Sequence, residues 1–114
     1  SYDYALTRKH LDLLRRATDA DGNPLEIHTV SPPLHPRRSK FLDGNDDFAA
    51  GYINYFVING AVIAPEFGDP AADTKARDLL ARLYPGHKVV QIDIDAIASG
   101  GGGIHCVTNQ LPSA

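Results

Sequence analysis

The chain has no methionine, no tryptophan and a single cysteine among its 114 residues. One cysteine excludes an internal disulfide framework and any zinc site built from several thiolates. It also fits a reducing compartment, so a cytoplasmic location is the expectation. Without methionine there is no initiator residue, which points to a processed chain or to a piece of a longer one. Long apolar runs are lacking too. The stretch from Tyr52 to Ala64 is interrupted by Asn54, Asn59 and Gly60 and cannot span a bilayer. The N-terminus lacks the basic-then-apolar layout of a signal peptide. Positive charge is not in excess: at a net charge of −3, no basic field draws nucleic acid or a membrane. The short knot of Arg37, Arg38 and Lys40 reads as a solvated loop.

What is present has the pattern of an α/β protein. Thr7, Leu11, Leu14 and Thr18 recur at helical spacing, so Tyr4 to Thr18 is expected to be a helix, stopped by Asp21-Gly22-Asn23-Pro24. The alternation from Leu25 to Val30 predicts a strand. Ser31 to Asp47 is a loop rich in proline and charge, of a length that often carries function or forms a lid. Gly51 to Ile58 is apolar on both faces and predicts a strand buried on both sides. Asn59-Gly60 signals a tight hairpin, with Ala61 to Ala64 as the return strand.

Asp69-Pro70 then opens a helix, since aspartate caps free amides and proline suits the first turn. Its apolar stripe is Ala72, Ala76, Leu79, Leu80 and Leu83, and Tyr84-Pro85-Gly86 stops it. Lys88 to Ile94 predicts a strand, Ala96 to Ser99 a short helical turn, and Ile104 to Asn109 a last short strand. The order strand, strand, helix, strand permits a right-handed parallel crossover. Residues 1–31 then look like the tail of a preceding copy of the unit formed by 51–114, all within a single domain.

The stretch Gly100-Gly101-Gly102-Gly103-Ile104-His105-Cys106 holds the candidate chemistry. Glycine lets backbone approach a ligand closely, and a thiol just beyond such a loop can stand exposed. The default reading of a lone cysteine is a small buried hydrophobe, and the plain reading of four glycines is a linker. Asn54 shares a strand face with Tyr52, Phe56 and Ile58. A buried amide there needs partners, either neighbouring backbone or a site. His28, His35 and His87 lie in or beside loops without metal-ligand spacing, so no metal is expected. Glu66 follows Pro65 and could line a cleft; Asp69 is explained by capping.

Residues 100–112, Gly-Gly-Gly-Gly-Ile-His-Cys-Val-Thr-Asn-Gln-Leu-Pro, resemble the C-terminal active-site signature of the agmatine deiminase and bacterial peptidylarginine deiminase family. Tyr52-Ile53-Asn54-Tyr55-Phe56, Asn59 to Ile63 and Pro65 to Asp69 resemble the block that precedes it. The resemblance is near-continuous from Gly51 to Pro112 and looser over Tyr4 to Ser31. It implies the C-terminal part of a five-bladed α/β propeller of ββαβ units, the pentein fold of guanidine-modifying enzymes. It further implies Cys106 as a nucleophile attacking a guanidinium carbon, with Asn54, Gly102 and Gly103 at the substrate. Asn54 matches the position of an active-site asparagine in a related bacterial peptidylarginine deiminase.

The implied substrate is agmatine, converted to N-carbamoylputrescine and ammonia without a cofactor, with citrullination of peptidyl-arginine as the alternative. A non-catalytic fragment or assembly partner is the reading from another class. Gly103 stands where an asparagine is common in agmatine deiminases, and Asn109-Gln110 where glutamines are usual. His105 adjoins the nucleophile, and adjacent side chains on a strand face opposite ways, so a supporting role is expected of it. The family's Gly-His-x-Asp segment, carrying a general base and a guanidinium-binding carboxylate, has no counterpart in this sequence. The chain alone is therefore expected to be inactive, and its partners to be the missing N-terminal part or further copies of itself.

Overall fold

The structure, a computed structural model, describes residues 2–114. Helix α1 spans Tyr2–Arg16. After a long irregular segment come β1 (Phe56–Ile58), β2 (Ala61–Glu66), α2 (Pro70–Leu83), β3 (Lys88–Asp93) and the short α3 (Asp95–Ala98). The sheet runs β1-β2-β3. β1 lies antiparallel to β2, with Phe56 opposite Ile63 and Ile58 opposite Ala61. β3 lies parallel to β2, with Ala61 opposite Lys88 and Glu66 opposite Asp93. The mixed α/β class, the Asn59-Gly60 hairpin and the helical crossover are thus as the sequence predicts. Gly60 alone of the turn pair takes a positive φ, of 75°.

The second helix follows its local signals closely. The Asp69 carboxylate accepts from the Ala72 N–H and caps the helix, and Pro70 occupies its first turn. Ala76 and Leu80 bury the inner face of α2. Ala76 joins Tyr52, Phe67, Ile94, Ala98 and Ile104 in one cluster, while Leu80 packs with Val62 and Ala64 in the other. Tyr52 and Phe67 meet edge to face at 5.4 Å, the arrangement favoured by the ring quadrupoles. Asp73, buried in the first turn of α2, accepts from Tyr52 Oη at 2.7 Å and from the backbone N–H groups of Phe67 and Gly68 at 2.9 and 3.1 Å. Burial and the Asp73 carboxylate together push the Tyr52 hydroxyl pKa far above its ordinary value.

Three expected strands come out differently. Residues 25–30 form no strand; only Thr18 and Pro24 make an isolated bridge. An alternating segment becomes a strand only against an edge, and the sheet here ends at β1 and β3. The Gly51–Ile58 strand shrinks to Phe56–Ile58, and it is not buried on both faces, because Ile53 is 78% exposed and Ile58 43%. Residues 104–109 contain a 3₁₀ turn at His105–Val107 in place of a strand. Helix α1 ends at Arg16, two residues before Thr18. Its apolar stripe stays largely in solvent, with Leu13 and Leu14 about half exposed. Among the described residues no helix is long and apolar enough to cross a membrane.

Candidate active site

Two segments distant in sequence build the site. Asn54 lies just before β1, and Cys106 lies in the 3₁₀ turn that follows the glycine run. The Asn54 side chain uses both of its ends. Its Nδ2 donates to Cys106 Sγ at 3.1 Å, and its Oδ1 accepts from the His105 backbone N–H at 2.8 Å. The 3₁₀ turn makes this possible, because it brings the His105 amide and the Cys106 thiol to the same side chain. The Asn54 amide thus meets a backbone partner and the thiol at once.

Cys106 is exposed, so the reading of a buried hydrophobe does not hold. Its pKa is lowered from that of an ordinary thiol. The hydrogen bond from Asn54 is the main cause, followed by the Gly103 backbone amide; desolvation opposes them, and the Cys106 amide adds a lesser contribution. Donors aimed at sulfur favour the thiolate, which is the nucleophilic form. The thiol opens into a shallow depression lined by Ile53, Asn54, Tyr55, His105 and Cys106. His105 packs edge to face on Phe56 at 5.8 Å. His105 and Cys106 lie on one 3₁₀ turn and line one depression, so His105 is not turned away from the thiol as a strand neighbour would be.

Of the four glycines, Gly103 fits tightly against these groups. A Cβ on Gly103 would lie 2.5 Å from Asn54 Cγ and 2.8 Å from Nδ2, so Asn54 occupies the space a side chain would need. A Cβ on Gly102 would sit 3.5 Å from both Cβ and Sγ of Cys106, an ordinary contact. Gly101 takes a φ of 83°, open to glycine and strained for other residues. Gly103 and Ile104 are buried, with Ile104 only 4% exposed in the core. The run is thus exposed at Gly100 and Gly101 and packed at Gly103, where it meets Asn54 and the core.

Arg37 departs most from its expectation as a solvated loop residue. Its guanidinium donates to the Glu66 carboxylate at 2.8 Å, the Glu66 carbonyl at 2.7 Å and Asp95 at 3.1 Å, with Asp93 at 3.6 Å. Burial disfavours its charge, but Glu66, Asp95 and Asp93 outweigh that, and the Arg37 pKa is raised. Glu66 is therefore engaged, by Arg37 and by the Gly68 backbone N–H. Arg38 is the exposed neighbour, paired with Asp43. Nothing local in the sequence distinguishes the two arginines; only the fold brings three carboxylates to one of them. Among the described residues no group of three or more His, Cys, Asp or Glu side chains is placed to hold a metal ion.

Comparison with known proteins identifies the family. A curated relative from Listeria monocytogenes is 40% identical over 122 residues, covering 96% of this chain and 33% of its own. The agmatine deiminase of Pseudomonas putida is 36% identical over 124 residues, covering 97% of this chain and 33% of its own length. Among solved structures, the agmatine deiminase of Enterococcus faecalis superposes with a TM-score of 0.77 at 28% identity, over 92% of this chain and 32% of that one. The chain thus spans about a third of the length of the relatives it matches, and its ββαβ unit is a part of their pentein fold. The model of the Porphyromonas-type peptidyl-arginine deiminase family matches residues 1–112, nearly the whole sequence, and the chain belongs to that family.

Proposed function

We propose that this chain is the nucleophile-bearing part of an enzyme that hydrolyses a guanidinium C–N bond. The observation that carries the reading is the Asn54–Cys106 pair: an exposed thiol whose sulfur accepts a side-chain amide donor at 3.1 Å and whose pKa is lowered. The Cys106 thiolate attacks the central carbon of the guanidinium, forming a C–S bond. One terminal C–N bond then breaks, its nitrogen leaving as ammonia after taking up a proton, and a thiouronium adduct remains. Water adds to the same carbon, two protons pass to the proton-transferring base and solvent, the C–S bond breaks, and the thiolate is restored with a ureido product. A bound cationic guanidinium would further favour the thiolate. Asn54, Gly102 and Gly103 surround the sulfur and are assigned to the substrate-binding wall. No cofactor enters these steps.

The carboxylates of this chain that lie near the sheet are already committed. Glu66, Asp93 and Asp95 hold Arg37, while Asp69 and Asp73 accept from backbone amides. We therefore assign the clamping carboxylates to sequence outside these 114 residues; on the family resemblance, whose Gly-His-x-Asp segment has no counterpart here, we assign the proton-transferring histidine there too, and expect the chain by itself to be inactive. Agmatine is the favoured substrate, on the names carried by the Pseudomonas and Enterococcus relatives. Peptidyl-arginine is the second, favoured by the family description. A cytoplasmic setting suits a reactive free thiol.

The test is a colorimetric ureido assay on the full-length protein, with agmatine and with an arginyl peptide as separate substrates. Ureido product from agmatine, lost in Cys106→Ala, is expected. No product from either guanidine, or activity that survives Cys106→Ala, would overturn the proposal.

A further inference from the structure

The glycine run before Cys106 is held at both ends: upstream, the last turn of α3 holds Gly100 and Gly101 through the Ile97 and Ala98 carbonyls at 3.1 and 3.0 Å, and a residue far from the thiol in sequence adds to that hold. Downstream, Ile104 is buried in the core and Asn54 binds the His105 amide at 2.8 Å. Upstream, the Asn45 side-chain Nδ2 donates to the Ser99 carbonyl at 3.0 Å and to the Phe41 carbonyl at 3.0 Å. Its Oδ1 accepts from the Asp47 N–H at 3.0 Å, so both ends of the amide are engaged. Beside it, the Ala49 N–H donates to the Ala98 carbonyl at 3.0 Å. Residues 41–49 therefore form a strap against the end of α3, and the same segment runs on into Tyr52 and Asn54.

We propose that Asn45 is a positioning residue for Cys106: it fixes Ser99, the residue from which Gly100–Gly103 leaves α3, and so keeps the thiol against Asn54. Consecutive glycines lose more conformational freedom on ordering than any other residues. A run of this kind therefore stays in one geometry only if its ends are pinned. The strap sets both the Ser99 end and, through Asn54, the Cys106 end, so one segment determines the span that the glycines bridge. Asn45 touches neither the sulfur nor the depression around it, and its effect is through the loop.

The inference rests on the proposed function only in taking Cys106 as the reacting group. Its test needs no substrate. The full chain and its Asn45→Ala and Asn45→Asp variants are treated with iodoacetamide across a pH series, and alkylation of the Cys106 peptide is followed by mass spectrometry. Asn45→Asp keeps the shape while turning a donor to two carbonyls into an acceptor. Both variants are expected to alkylate about threefold or more slowly near neutral pH, with the midpoint of the pH profile moved upward, because fewer thiols are ionised. Arg38→Ala, an exposed change close to the strap, is expected to leave rate and midpoint unaltered. Circular dichroism and thermal melts run alongside. A lower melting temperature with an unchanged alkylation midpoint would overturn the proposal and leave Asn45 a purely structural residue. Failure of both variants to fold would overturn it equally. If the midpoint moves but the full-length protein makes no ureido product, the positioning role stands and the proposed reaction falls.

Discussion

Gly103→Ala separates the packing of the site from its chemistry. Gly103 is not in the positive-φ region, so its backbone accepts alanine. The penalty comes from contact alone: the new methyl would lie 2.5, 2.6 and 2.8 Å from Cγ, Cβ and Nδ2 of Asn54. Asn54 cannot turn aside freely, because it is bound to the His105 amide at 2.8 Å and to Cys106 Sγ at 3.1 Å. Overpacking of this kind costs about 1–3 kcal/mol. For a domain of this size that is a fall in melting temperature of about 4 °C for each kcal/mol. Displacing Asn54 also withdraws its donor from the sulfur, so alkylation of Cys106 by iodoacetamide should shift to higher pH. Gly102→Ala is the control, with its methyl at 3.5 Å from Cys106, and should cost about 0.5 kcal/mol or less. In an Asn54→Gly background all three obstructing atoms, Cβ included, are gone, so most of the Gly103→Ala penalty should disappear. An undiminished penalty in that background, or a Gly103→Ala protein as stable and as reactive as the original, would refute the reasoning.

Arg37→Ala should destabilise the fold by about 2–4 kcal/mol, less than a fully buried pair because Arg37 keeps some exposure, and denaturant unfolding measures it. Its loss leaves Asp95, whose side chain is 6% exposed, without its cation. Arg37→Lys should recover only part, since one ammonium cannot reproduce the forked contacts to Glu66 and Asp95. Asp69 predicts a pH effect. Its pKa is lowered, chiefly by the His35 backbone N–H, then by those of Ala72 and Leu34. A lowered folded pKa contributes stability that is complete above the unfolded carboxyl value of 3.8 and lost as pH falls through the folded one. Stability measured against pH below about 4 should accordingly fall less steeply in Asp69→Asn than in the original protein.

Much of the fold is legible where a local signal has a local cause. Asp69-Pro70 starts α2 because capping and a preset φ need no distant partner, and Asn59-Gly60 reverses the chain for the same kind of reason. The parallel crossover follows from a helix placed between two strands. The alternation of Leu25–Val30 is a local signal without a local cause, because a strand exists only beside another, and none lies there. At Ile104–Asn109 the apolar pattern suggests an extended chain. Burial of Ile104 and the Asn54 bond to the His105 amide favour a turn instead, which depends on a residue 51 positions away. Cys106 and the glycines stood out by their unusual grouping, and Asn54 by its place among apolar residues. Arg37, Asp73 and Asn45 did not, because their partners are assembled only by the fold; Arg37 reaches 58 residues along the chain to Asp95.

The most direct measurement is of the covalent intermediate itself. The full-length protein is mixed with agmatine, quenched in acid within the turnover time, digested, and the peptide containing Cys106 is weighed. A fraction of that peptide should carry the mass of the substrate less ammonia, joined through sulfur, and should be absent from Cys106→Ser. Ureido product formed with no adduct on Cys106, or formed undiminished by Cys106→Ser, would contradict the assignment of Cys106 as the nucleophile.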